Sequence, residues 1–223
     1  PYLKLAYLPN PGAVRLRLSA YEVEGKTVAR EIERQFDELR KIIPEYIVGY
    51  ETATMQELVH HTLTRRGLTL ATAESCTGGA IASRFTAMPG ASAYFLCGVV
   101  SYSNRAKSEV LGVPAEEIER YGAVSEQVAR HMAEGVRRLA HADYAVATTG
   151  IAGPTGGSAQ KPVGTVWMAV ATLRGTYAVV KQCGTDRGQI IDRASAFAIG
   201  MLHELLDKEE QTAQTEAQAE KQA

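Results

Sequence analysis

The chain has 223 residues, 45% of them hydrophobic, and sets 24 Lys and Arg against 25 Asp and Glu; that length buries a sizeable core, and that balance creates no global field for nucleic acid, an anionic membrane or an acidic substrate. Three widely spaced cysteines, Cys76, Cys97 and Cys183, form no C-x-x-C motif, which argues against a disulfide framework or a zinc site and for a reducing cytoplasm. No stretch of these residues reads as a secretory leader or as an apolar run of membrane-spanning length, and the sequence begins at Pro1 without methionine, as part of a longer protein is expected to do.

Residues 1–50 read as a small unit of their own. The alternation Val14-Arg15-Leu16-Arg17-Leu18 predicts a strand, and Val28, Ile32, Phe36, Leu39 and Ile43 recur at helical spacing from Lys26 to Pro44, which ends the helix. Glu45 to Val48 reads as a second strand, giving a βαβ module too small to bury much alone. From Thr54 the elements lengthen: a helix Met55 to Arg66, a strand Leu68 to Ala73, a helix Gly78 to Thr86, a strand Phe95 to Tyr102, a short helix Lys107 to Leu111 and a helix from Ser125 to Ala140. A strand Tyr144 to Thr149, a hairpin of Val163 to Thr172 with Tyr177 to Gln182, and a long helix Arg187 to Leu206 complete residues 51–207. The alternation implies a three-layer α/β/α sandwich around a largely parallel mixed sheet with one antiparallel pair. Residues 208–223, rich in Gln, Glu, Ala and Thr without apolar periodicity, are expected to be disordered.

Three strand ends carry the candidate chemistry. In Thr72-Ala73-Glu74-Ser75-Cys76-Thr77-Gly78-Gly79 a strand delivers Ser75 into a glycine turn that opens a helix. This is the logic of a nucleophile elbow, although Ala73 and Thr77 stand where G-x-S-x-G has glycines; the other reading is a plain turn with Thr77 as helix cap. The second strand ends in Ser101-Tyr102-Ser103-Asn104-Arg105-Ala106-Lys107. Either Tyr102 or Lys107 could take the Ser75 proton, or Ser103 or Asn104 merely caps a helix. The third, Thr149-Gly150-Ile151-Ala152-Gly153-Pro154-Thr155-Gly156-Gly157, invites a nest of N–H groups around a phosphate or carboxylate but matches neither Walker A nor G-x-G-x-x-G. Arg187 either reaches a phosphate or decorates the last helix. His60 and His61 are adjacent and face different ways on a helix, so they are poor joint metal ligands.

Taken in order, the segments Thr72 to Gly79, Pro89 to Phe95, Gly98 to Asn104, Tyr121 to Ser125 and Thr149 to Gly157 closely resemble the CinA C-terminal domain family over roughly residues 54 to 206. The resemblance implies a metal-independent nicotinamide-nucleotide amidase that converts nicotinamide mononucleotide to nicotinate mononucleotide and ammonia, without a cofactor. It implies Ser75 as catalytic serine with Tyr102 and Lys107 beside it, and Thr77, Gly78, Gly79, Ser92, Thr149, Gly150, Gly153 and Arg187 toward substrate. On this expectation Gly78 and Gly79 donate to the oxyanion, while the 149–157 loop and Arg187 take the 5′-phosphate. The resemblance further suggests a homo-oligomer, most simply a dimer. Leu5 to Pro9 and Val14 to Leu18 are similar to the KH-like middle domain of full-length CinA, in which a molybdopterin-binding-like domain lies upstream. Residues 1–50 contain no G-x-x-G clamp and no basic stripe, so nucleic acid is not an expected partner. The rival class is a non-catalytic nucleotide-binding or interaction module linked to competence or DNA damage.

Overall fold

In the computed structural model, which describes residues 3–10, 13–21, 26–47 and 54–220, the chain divides into two compact units, Pro1–Ala53 and Thr54–Ala223. In the first, β1 (Leu3–Asn10) and β2 (Ala13–Ala20) pair antiparallel and α1 (Lys26–Ile42) follows. The order is therefore strand, strand, helix rather than the βαβ module expected. Pro44–Tyr46 form a 3-10 turn instead of the second strand, because a fixed φ and a missing N–H suit a tight turn; Val48 lies outside the described residues.

The second unit begins with α2 (Met55–Arg66), whose N-terminus is closed by Thr54: both its N–H and its hydroxyl donate to the Glu57 carboxylate. Then come β3 (Leu70–Glu74), α3 (Ala80–Thr86), β4 (Phe95–Val100), α4 (Asn104–Leu111), α5 (Ala115–Tyr121) and α6 (Glu126–Ala140). The chain continues through β5 (Tyr144–Gly150), β6 (Thr165–Ala171), β7 (Thr176–Gln182) and α7 (Arg187–Glu220). Among these, α5 was not foreseen, α3 starts at Ala80 rather than Gly78, and α4 starts at Asn104, capped by Ser103, which accepts from Ala106 N–H at 3.1 Å.

The sheet order is β4-β3-β5-β6-β7. β3 runs parallel to both β4 and β5, whereas β5–β6 and β6–β7 are antiparallel, so the sheet is mixed with two antiparallel pairings rather than one. The cause is the connection from Ile151 to Gly164, which contains no helix; without a crossover the chain can only return antiparallel.

Every residue of β3 is buried, and strand alternation divides the core in two. Leu70 joins Val59, Leu63, Ile81, Phe85, Ile190 and Leu202 on the face covered by α2, α3 and α7. Ala71 and Ala73 join Val128, Met132 and Val136 of α6 on the other face, where Ala145, Ala147, Ala169 and Ala171 keep the sheet surface low and let α6 lie close. Fully buried Leu63, Leu70, Ile81 and Leu202 contribute roughly 1.5–3 kcal/mol apiece.

Beyond Leu206 the expected disordered tail is helical through Glu220. Ala, Gln and Glu are good helix formers, and the extension is tied down where Arg65 donates to Glu210 at 2.7 Å and the Tyr144 hydroxyl donates to Glu209. No helix among the described residues is long and apolar enough to cross a membrane.

Candidate active site

β3 hands on to α3 on one face of the sheet while β4 hands on to α4 on the other. Their carboxyl ends therefore open a crevice at a topological switch point, where open α/β sheets bind ligands. Ser75 leaves the end of β3, Ser101 the end of β4, and Thr149 and Gly150 close β5. A cavity of about 360 Å3 lies over these ends, lined by Ser75, Cys76, Tyr102, Asn104, Lys107, Ala123, Val124, Thr149, Gly150, Ile151, Ala152, Gly153, Thr155, Gly156 and Arg187. That volume falls within the roughly 300–1,000 Å3 of small-molecule sites.

Ser75 sits on a pinned arch. Its N–H donates to Thr148 O at 3.0 Å and its carbonyl accepts from Gly78 N–H at 3.1 Å. Lys107, one turn into α4, points inward and is 1% exposed. Its ammonium nitrogen lies 3.0 Å from Ser75 Oγ and 2.8 Å from the Ser101 carbonyl. Burial lowers the Lys107 pKa below its ordinary value, because a charge in an apolar interior is disfavoured unless paired, and no ion pair with Lys107 exists among the described residues. An amine of lowered basicity thus lies within hydrogen-bond reach of a hydroxyl.

Tyr102, the other candidate base, is turned outward and 60% exposed. Its hydroxyl accepts from Arg187 Nη2 at 2.9 Å, and Arg187 Nη1 donates to Gly153 O at 2.8 Å. Arg187 therefore bridges the β4–α4 loop and the glycine loop at the cavity mouth, with two neutral acceptors as its hydrogen-bond partners. Thr149 is buried and gives its hydroxyl to Ala123 O at 2.7 Å, holding the loop before α6 against the cavity.

Cys76 is a second nucleophile by type, but burial pushes its thiol up to about 12. A protonated thiol is inert, so the chemistry of this arch falls to the hydroxyl. At neutral pH iodoacetamide is expected to spare Cys76 in the folded chain and to label it after denaturation, read by peptide mass mapping.

Four expected positions lie elsewhere. Thr77 is buried behind the arch, its hydroxyl 2.7 Å from that of Thr148, and does not line the cavity. Gly78 N–H is taken by Ser75 O, and Gly79 N–H by Glu74 Oε2 at 3.0 Å, so neither is a free oxyanion donor; the glycines serve the backbone, with φ of 63° and 100°, a region costly for side chains. Ser92 is exposed in the 3-10 turn Ala91–Ala93 that precedes β4, at the opposite end of the sheet from Ser75. Sequence reasoning passed over Asn104, Ala123 and Val124 as site residues, although Ala123 and Val124 fall within the quoted segment Tyr121 to Ser125. It also missed Glu74, whose role only its burial discloses.

The model of the CinA C-terminal domain matches residues 52–206. The chain belongs to the CinA C-terminal domain family. It is 45% identical over 203 residues to a CinA-like protein of Flavobacterium psychrophilum, covering 91% of this chain and 49% of that protein. A putative competence-damage inducible protein of Desulforudis audaxviator is 49% identical over 172 residues, covering 77% and 42%. The chain thus spans about half the length of the curated relatives it matches. The crystal structure of the competence/damage inducible protein CihA from Agrobacterium tumefaciens superposes with a TM-score of 0.66 at 40% identity, covering 71% of this chain and 99% of that one. All the cavity-lining residues lie inside the matched CinA C-terminal domain.

Proposed function

We propose that this CinA C-terminal domain hydrolyses the carboxamide of a pyridine nucleotide, with nicotinamide mononucleotide as substrate, through Ser75 as nucleophile and Lys107 as its base. The observation that carries the reading is the 3.0 Å contact between Lys107 Nζ and Ser75 Oγ, made by a buried amine. Such a pair activates a hydroxyl when the amine is neutral, and desolvation favours that form.

In this reading Ser75 Oγ attacks the carboxamide carbon and its proton passes to Lys107 Nζ. The tetrahedral intermediate collapses, the C–N bond breaks, and Lys107 returns the proton to the leaving nitrogen, which departs as ammonia. Water then attacks the ester, giving a proton to Lys107; the C–O bond to Ser75 breaks, Lys107 returns that proton to Ser75 Oγ, and the nucleotide leaves as its carboxylate with its acid proton lost to solvent. The developing oxyanion needs a fixed donor. Because Gly78 and Gly79 are occupied, the candidate is Cys76 N–H, which follows the nucleophile and, among the described residues, donates to no carbonyl or carboxylate; one such donor contributes about 3–4 kcal/mol. Arg187, its charge balanced by neither Gly153 O nor Tyr102 Oη, suits the 5′-phosphate at the mouth.

The test is to incubate the purified chain with nicotinamide mononucleotide and a metal chelator and to follow both products. Ammonia and nicotinate mononucleotide are expected in equal amounts. A folded protein that binds the nucleotide and releases neither product overturns the amidase reading and makes the domain a nucleotide-binding module.

A further inference from the structure

We infer that Glu74 is a positioning residue for Ser75, acting through the arch that carries it; the assignment rests on Ser75 being the nucleophile. Glu74 is the last residue of β3 and 1% exposed. Its carboxylate accepts three backbone N–H groups from the start of α3: Oε2 from Gly79 at 3.0 Å and from Ile81 at 3.1 Å, Oε1 from Ala82 at 2.8 Å. Burying a carboxylate is costly unless it is hydrogen-bonded, and here the partners are amides at the positive end of a helix.

An ordinary helix cap comes from the residue next to the helix. Glu74 instead reaches forward from the strand, so its side chain closes a loop around Ser75, Cys76, Thr77 and Gly78. The same arch is pinned from β5 by Ser75 N–H on Thr148 O and by the Thr77 and Thr148 hydroxyls. Those contacts fix its height above the sheet, whereas the Glu74 clasp fixes where it turns into α3. With α4 bringing Lys107 from the opposite face, the 3.0 Å separation of nucleophile and base depends on both sides. Glu74 itself does not line the cavity, so its influence on the reaction passes through Ser75. The clasp has a second consequence: the amides of α3 are filled from within, and a substrate anion must be held elsewhere.

The test uses the full chain and a fluorophosphonate probe, which forms an O–P bond with an activated serine as fluoride leaves, and compares wild type with Glu74→Gln and Glu74→Asp. Glutamine matches the shape but offers one acceptor oxygen where two are used; aspartate keeps the charge but is one methylene short. Labelling of Ser75, counted on the folded fraction given by circular dichroism, is expected to slow at least tenfold in Glu74→Gln. Turnover of nicotinamide mononucleotide, counted on the same folded fraction so that simple loss of folded protein drops out, should fall in parallel, with KM within twofold. Wild-type protein unlabelled at Ser75 defeats the nucleophile and this assignment with it. A labelled wild type with Glu74→Gln labelled within twofold overturns the role of Glu74 alone. Failure of both variants to fold makes Glu74 a folding residue and overturns the assignment equally.

Discussion

Ser75→Ala and Lys107→Met are each expected to lower turnover of nicotinamide mononucleotide by roughly 10⁴-fold, and the double variant by no more than either alone, because a nucleophile without its base and a base without its nucleophile are equally idle. Steady-state kinetics on the three proteins, with the nucleotide's Kd measured separately, checks this; additive losses would mean that the two side chains do not act as a pair. Lys107→Arg should not recover activity, since a guanidinium stays charged and cannot accept a proton. The pH dependence follows from the buried amine. Turnover requires neutral Lys107, so it should rise with pH along a limb whose midpoint lies below the ordinary lysine value of 10.5. The same depression has a sign for stability. Between the lowered native pKa and the unfolded one the unfolded chain binds more protons, so wild type gains stability as pH rises through that window. Lys107→Met lacks this gain, and in denaturant titrations the stability difference should move in favour of wild type as pH rises toward 10.5.

The architecture was largely legible in the sequence because the relevant signals are local and periodic. Alternating alanines and β-branched residues mark strands covered on both faces, and the glycine-rich strand ends mark the rim of a ligand crevice. Pairing direction was less legible: nothing within Thr165 to Ala171 says that it lies antiparallel to β5, and the reason sits in the helix-free connection before it. Placement relative to the sheet also decided which residues meet. Ser92 and Ser101 flank the same strand, yet only the one after β4 comes off the end that carries Ser75. Tyr102 and Lys107 were equivalent as bases on paper; the turn of α4 separates them, directing Lys107 inward and leaving Tyr102 on Arg187. The occupied amides of Gly78 and Gly79 could not be read at all, because a glutamate at the end of an apolar strand gives no sign of bending forward onto the next helix.

Gly135→Ala is expected to be strongly damaging, although it lies on a helix, where alanine is intrinsically favoured. A Cβ at Gly135 would sit 2.0 Å from the Leu111 carbonyl oxygen and 2.9 Å from its carbon. This is backbone at the end of α4, not a side chain that can rotate away, so α4 and α6 must part. Overpacking of this kind costs about 3 kcal/mol, which for a domain of this size lowers Tm by roughly 6–12 °C. The displaced segment also carries the base: Gly112 N–H and Val113 N–H both bond to Lys107 O, so a shift at Leu111 moves the turn from which Lys107 reaches Ser75. Misplacement by about 1 Å can cost roughly 100-fold in rate, and the loss should appear in kcat, not KM. Gly200→Ala is the control. It lies within α7 with nothing inside 4 Å of an added Cβ, so the propensity gain stands alone and should raise stability by roughly 0.5–1 kcal/mol. Thermal melts of the two variants should therefore move in opposite directions. A Gly135→Ala protein as stable as wild type would show that the α4–α6 contact yields without strain, and would remove packing as the means by which Lys107 is held in place.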